Sequence, residues 1–303
     1  MRRSTGKFAM AAWCCAAVLT PARGERLTLA TYNLENYGAA SRMTVAGFRP
    51  DYPKPEAQKE ALRRVIRDLH ADVIVVQEMG GPAYLEELRR DLRQESCDYP
   101  HAAIATAGDA ERRLAVLSRR PLRDVVTHAD LTFPYLGGRE SVKRGLLEAT
   151  IATAAGDVTL FALHLKSRFT ERPEDPASAQ RRAAEATAIR DRILRRFPTP
   201  AAASFIILGD CNDNRTSRAL TFLQRRGRTE IAVLVSAADS RGEVWSHVFR
   251  REESYARVDH ILVSPALRPA VVTDATRIHD GPGVAEASDH RPVVLVLDLP
   301  SRR

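Results

Sequence analysis

Apolar runs of strand length alternate with amphipathic helical stretches from Leu27 almost to the end of the chain, and run after run closes on a carboxylate, an amide or a histidine. Leu27–Tyr32 reads as a buried strand. Glu56–Leu69 carries Ala61, Leu62, Val65, Ile66 and Leu69 on one face, the stripe of an amphipathic helix. Val73–Val76 is continuously apolar, the pattern of a strand covered on both faces. A second helix follows Pro82, with Leu85, Leu88 and Leu92 on one side and the proline near its start. Further strands are predicted at Leu114–Ser118, Leu147–Thr153, Val158–Leu165, Ser204–Leu208, Val244–Phe249, Val258–Val263, Val271–Thr273 and Val293–Leu297, and a long helix over Ala177–Arg196. The sequence shows no Gly/Ser-rich linker and no break in composition. The pattern therefore predicts one α/β domain of mixed sheets flanked by helices.

The first residues read differently. Arg2, Arg3 and Lys7 precede the uncharged, largely apolar run Phe8–Thr20, and small residues at 22 and 24 suit cleavage before Glu25. The run is too short to span a bilayer. Residues 1–24 are thus expected to be a signal peptide, residues 25–303 the functional domain, and the mature protein secreted or periplasmic, without stable membrane insertion. The leader holds Arg2, Arg3, Lys7 and Arg23 and no acid, so its removal takes the formal charge from +8 to +4. A mildly basic surface is compatible with a polyanionic substrate. The mature chain keeps only Cys97 and Cys211, too few for a disulfide scaffold, and both are expected as unpaired thiols.

The polar residues at the strand ends are Asn33 and Glu35, Gln77 and Glu78, His164, Asp210 and Asn212, Asp259 and His260, and Asp289 and His290. Each has an ordinary reading: Gly-Asp-x-Asn is good turn chemistry, and a lone histidine is most often structural. Their joint position is what carries weight, because sites in α/β proteins gather where strands end. Carboxylates and an amide, with no cysteine–histidine cluster, select a hard divalent cation such as Mg²⁺ or Mn²⁺.

Seven blocks then appear in order: Thr31–Asn36, Val76–Glu78, Leu117–Pro121, Leu163–Ser167, Leu208–Asn212, Arg257–Ile261 and Ser288–Val293. Together they resemble the endonuclease/exonuclease/phosphatase superfamily over nearly the whole mature chain. The resemblance implies a four-layer α/β/β/α sandwich of two packed mixed β-sheets, with a metal-dependent phosphoesterase site at one edge. By the same resemblance Glu78 is the principal metal ligand, with Asn33 beside it, Glu35 holding a metal-bound water and Asp289 a further carboxylate ligand. His290 is similar to the catalytic histidine of the family, and Asp259 to the carboxylate that orients it. Asp210 and Asn212 correspond to residues that position water and bind the phosphoryl oxygen, and His164 to a second histidine contacting phosphate. Which group is the general base stays open at this level. Arg144 is read as a phosphate contact or as a solvated arginine. Cys211 and His260 depart from the family pattern and are expected to serve packing.

Substrate choice falls to the loops Gly38–Lys54, Thr127–Lys143, Ser167–Pro176 and Ala237–Tyr255. They carry Arg42, Arg49, Lys54, Arg139, Lys143, Arg168 and Arg172, partners for phosphate. No exposed aromatic hairpin is legible in them, which favours a nucleic-acid substrate over a lipid. The expectation is a monomeric nuclease cleaving DNA or RNA. The alternatives are a phosphatase or phosphodiesterase on a small or lipid-derived phosphoester, and a non-catalytic phosphate-binding module.

Overall fold

The computed structural model describes residues 24–44 and 46–300. The expected leader lies outside the described residues except for Gly24. Two six-stranded mixed sheets form the centre. The first runs, in spatial order, Arg277–Ile278, Val293–Leu299, Glu25–Tyr37, Val73–Met79, Arg113–Ser118 and His101–Ile104. The second runs Val233–Leu234, Asp259–Val263, Phe205–Asp210, Gly156–His164, Leu146–Thr153 and Leu122–His128.

Each sheet has one parallel pair at its middle. Glu25–Tyr37 pairs with Val73–Met79 through the crossover helix Glu56–Asp68, and Gly156–His164 pairs with Phe205–Asp210 through the helix Ala179–Arg196. All other neighbours in the two sheets are antiparallel, so strand ends that carry chemistry are brought to one edge. Asp210 sits opposite Asp259, and His164 opposite Asp210.

Period-two alternation builds the layers. Leu27, Leu29, Val73 and Val75 face Leu147, Leu160, Ile206 and Ile261 of the other sheet in one core. Ala30, Tyr32, Ile74 and Val76 point the other way, onto Leu62, Val65, Leu85 and Leu88 of the helices Glu56–Asp68 and Pro82–Gln94. Phe161, Leu163, Phe205 and Ile207 pack on Ile189, Ile193, Leu220 and Leu223 of Ala179–Arg196 and Arg218–Gln224. Three cores separate four layers, the α/β/β/α sandwich expected. Cys97 and Cys211 are both buried and free.

Three expectations need correction. Val271–Thr273 forms no strand: Val271 makes an isolated bridge to Leu297, and Arg277–Ile278 takes the edge position instead. The long helix begins at Ala179 rather than Ala177, because Ala177 and Ser178 hold positive φ. Residues 40–52 are not a plain loop but a two-stranded hairpin, Ala40–Thr44 with Gly47–Tyr52, exposing Met43 (78%) and Phe48 (62%). Strand propensity over so short a polar stretch is too weak to announce it.

One backbone position is under a hard constraint. Gly209 has φ +150°, and a Cβ there would lie 1.9 Å from the carbonyl oxygen of Leu163 on the neighbouring strand. Gly209→Ala must combine an unfavourable φ with a backbone clash, and we expect a loss of about 3 kcal/mol or more. Urea unfolding of the purified variant measures it; a loss below about 1 kcal/mol would mean that the strands part easily here.

Candidate active site

The sequence places polar residues at the ends of hydrophobic strands, and the local backbone then turns them. Strand Glu25–Tyr37 shifts register against Val73–Met79 between Asn33 and Tyr37, and Val73–Met79 shifts against Arg113–Ser118 between Val76 and Met79. Within these irregularities Glu35, Asn36 and Glu78 all take positive φ (48°, 54° and 61°), as does Asn212 (51°) beyond the second sheet. Non-glycine residues in that region cost free energy, and they cluster where a side chain must be aimed. The backbone N–H of Asn36 donates to Glu78 Oε2 at 2.9 Å, and that of Glu35 donates to Asn33 Oδ1 at 3.0 Å.

Asp210 is the hub. Its Oδ2 accepts from Asn33 Nδ2 at 3.0 Å and from Asn212 Nδ2 at 3.3 Å, while Oδ1 accepts the Asn212 N–H at 2.8 Å. His164 Nε2 and His290 Nε2 approach the same Oδ2 to 3.5 and 3.9 Å. Burial, with Asp259 adding to it, pushes the Asp210 carboxyl up to about 7.

His290 Nδ1 lies 2.8 Å from Asp259 Oδ2, an oxygen that also accepts from Ser246 Oγ at 2.8 Å. Ser246 Oγ in turn accepts the N–H groups of Val258 and Asp259. Burial by itself would lower the His290 pKa; the Asp259 carboxylate outweighs it and holds the imidazolium form well above the ordinary range. His164 is the reverse case. Burial, then the charge of Arg144, keeps it neutral. Two histidines at one carboxylate are thus held in opposite states by their surroundings.

A second group of acids adjoins the hub. Glu35 follows Asn33, and burial together with the Asp289 charge raises its pKa. Asp289 Oδ1 is 3.9 Å from His290 Nε2, and its Oδ2 is 3.7 Å from His247 Nε2. Lys54 Nζ lies 3.7 Å from Glu35 Oε2.

Ten residues were expected here. The structure joins Asn33, His164, Asp210, Asn212, Asp259 and His290 in one continuous network, with Asp289 at its border. Glu35 and Glu78 flank Asn33 but belong to neither of the tight ligand groupings, which are Asp210–Asp259–His290 and His247–Asp289–His290. Arg144 is buried behind His164, its Nε donating to Asp109 Oδ2 at 3.0 Å. His260 packs as expected, donating to the carbonyl of Asp213. Ser246, His247 and Lys54 carry parts of the site that strand-end reading does not single out. Lys54, expected among the phosphate partners of the rim, is buried instead (1% exposed).

The residues fit a hard divalent cation. Asn33, Glu35, Glu78 and Asp289 offer oxygen donors only, and Glu35 Oε2 is buried with no hydrogen-bond partner.

A four-layer sandwich with carboxylates, amides and paired histidines at the edge of its sheets defines a hydrolase site for phosphoesters. The chain belongs to the Endonuclease/Exonuclease/phosphatase family, whose model matches residues 30–290. No curated protein matches it. Among solved structures, sphingomyelinase C from Streptomyces griseocarneus is 15% identical with a TM-score of 0.61, covering 90% of this chain and 99% of its own. The 3'-5' exonuclease NExo from Neisseria meningitidis is 17% identical, TM-score 0.56, covering 90% and 100%. Truncated Caenorhabditis elegans TDP2 is 13% identical, TM-score 0.58, covering 90% and 97%. These likenesses show the fold. Membership makes the protein a phosphoester hydrolase of a family whose enzymes depend on divalent metal ions.

Proposed function

We propose that the protein is a secreted phosphodiester hydrolase that uses Mg²⁺ or Mn²⁺ and cleaves nucleic acid by attack of water. The observation that carries the nucleic-acid reading is the basic rim. Arg49 on the hairpin 40–52, Arg139 on the hairpin 132–141, and Arg168 and Arg172 on the segment after His164 are all exposed, on connections that adjoin the strands Glu25–Tyr37, Leu146–Thr153 and Gly156–His164. Such a scatter suits a chain of phosphates better than one compact phosphate. Export rests on the leader of residues 1–24; the first strand beginning at Glu25 is consistent with cleavage there. Among the described residues, no helix is long and apolar enough to cross a membrane.

Asn33, Glu35, Glu78 and Asp289 would hold the ion; Arg144, buried and paired with Asp109, is neither the solvated arginine nor the free phosphate contact expected. When bound, the ion supplies neutralisation of the phosphate oxygens and of the developing charge on the departing oxygen. Asp210, fixed by Asn33 and Asn212, positions the attacking water. His290, oriented through Nδ1 by Asp259, presents Nε2 to a phosphoryl oxygen. His164, a neutral imidazole in the wall, offers its second contact.

A second reading has its own observation. The hairpin that exposes Met43 and Phe48 beside the site is a surface for apolar contact, so a lipid-derived phosphoester remains the alternative substrate. Both are separated by one panel. The chain from Glu25 is assayed with Mg²⁺ or Mn²⁺ on plasmid DNA, RNA, sphingomyelin and a chromogenic bis-phosphodiester, with and without EDTA. Cleavage of nucleic acid that EDTA abolishes is the expected result. Turnover of lipid alone would replace the substrate, and turnover indifferent to EDTA would remove the metal.

A further inference from the structure

Strands Gly156–His164 and Phe205–Asp210 run parallel, and the Leu165 N–H adds a last backbone rung by donating to the Asp210 carbonyl at 2.9 Å. Past that rung the pairing passes to side chains. Asn212 Nδ2 donates to the Leu165 carbonyl at 3.0 Å, and the next residues on both sides are held from helix Ala179–Arg196. Arg182 and Glu185 lie three residues apart on one face of that helix and both reach Lys166. Glu185 Oε2 accepts the Lys166 N–H at 2.8 Å, and Arg182 Nη1 donates to the Lys166 carbonyl at 3.2 Å. Arg182 Nε donates to Asp213 Oδ2 at 3.1 Å, on the residue after Asn212. Its Nη1 also donates to the carbonyl of Ala177 at 2.6 Å, where the chain enters the helix at φ 57°. Asp213 is held from its main chain as well, its carbonyl accepting from His260 at 2.9 Å.

An arginine only 2% exposed is costly to bury, and the cost is offset where its planar fork meets several acceptors at once. We propose that Arg182 is a positioning residue of the hydrolytic site, a guanidinium rung that extends the strand pairing beyond its backbone and so fixes Asn212 against Asp210. This role rests on the reading above, in which Asn212 helps to fix the Asp210 that positions water. Asn212 needs such a frame. Its φ of 51° is unfavourable for a residue with a Cβ, and its amide spans from Asp210 Oδ2 to the Leu165 carbonyl. Arg182 holds the residue next to each end of that span, Lys166 after Leu165 and Asp213 after Asn212. The proposed ion ligands Asn33, Glu35, Glu78 and Asp289 lie on or beside strands of the other sheet, outside its reach.

The test is steady-state hydrolysis of a chromogenic bis-phosphodiester with Mn²⁺ by the chain from Glu25, as Arg182→Met, Asn212→Ala and the double variant. Arg182→Met should lower kcat roughly 10²-fold, the scale of a small misplacement at a reacting centre, with KM and Mn²⁺ affinity unchanged. The double variant should fall within about twofold of Asn212→Ala, because the rung then has nothing left to position. Asp213→Ala cuts the same rung from its partly exposed end and should repeat the loss; it serves if circular dichroism shows that Arg182→Met does not fold. A purely structural arginine would act through the folded fraction, and its loss would multiply with that of Asn212→Ala. Multiplying losses, or rates near wild type in both Arg182→Met and Asp213→Ala, overturn the proposal while leaving the site standing. A rate near wild type in Asn212→Ala overturns the reading beneath it, and the proposal with it.

Discussion

Replacing His290 by alanine is expected to lower kcat roughly 10²–10⁴-fold, with a much smaller change in KM and no change in Mn²⁺ affinity. The reason is geometric. His290 Nδ1 is tied to the Asp259 carboxylate at 2.8 Å, while its Nε2 faces Asp210 at 3.9 Å. Asp259 is itself held by Ser246, so the pair has one orientation open to it. Alanine removes both the charge and the directed donor. Asp259→Asn should lose much of the same activity, because the amide cannot stabilise an imidazolium as a carboxylate does, and the double variant should be scarcely worse than either single one. Single-turnover rates across the three variants provide the check. Additive losses would show that Asp259 and His290 do not act as a unit, and near-normal turnover in His290→Ala would move the phosphoryl contact to His164.

The second large effect is expected at Glu78. Glu78→Gln keeps size and removes the charge, and it should weaken Mn²⁺ binding beyond the roughly 10–100-fold that follows loss of an outer partner of a metal ligand. Activity should fall with it and return in part as Mn²⁺ is raised, which a loss of chemistry alone would not show. The side chain is aimed by backbone features: φ of 61° at Glu78 itself, and the Asn36 N–H on its Oε2. Neither depends on the charge, so the variant should fold. Calorimetric titration reads the affinity directly. Unchanged affinity would transfer the main ligand role to Glu35 and Asp289.

Much of this was legible in the chain. Apolar alternation at Leu27, Leu29, Ala30 and Tyr32 assigns one row to the space between the sheets and the other to the helix layer, because successive strand residues must face opposite ways. The polar residues closing each strand named the network, since a side chain at the end of a buried strand has its backbone held and its tip free. What the sequence determined by itself was therefore the layers and the chemical inventory of the edge.

The remainder required the tertiary structure. His247 comes to lie 4.4 Å, ring to ring, from His290 only because the segment around Ser246 runs antiparallel to the one around Asp289. No periodicity encodes a contact between residues so far apart in the chain. Positive φ at Glu35, Asn36 and Glu78 arises where two register shifts meet, a property of paired strands and not of either alone. Lys54 shows the limit most plainly. A lysine between two prolines in a polar loop has the local signature of an exposed turn, and only the packing of hairpin, strand and helix around it closes off water and leaves its charge against Glu35. Sidedness within an element is a local property of sequence; burial in a loop is decided by what folds over it.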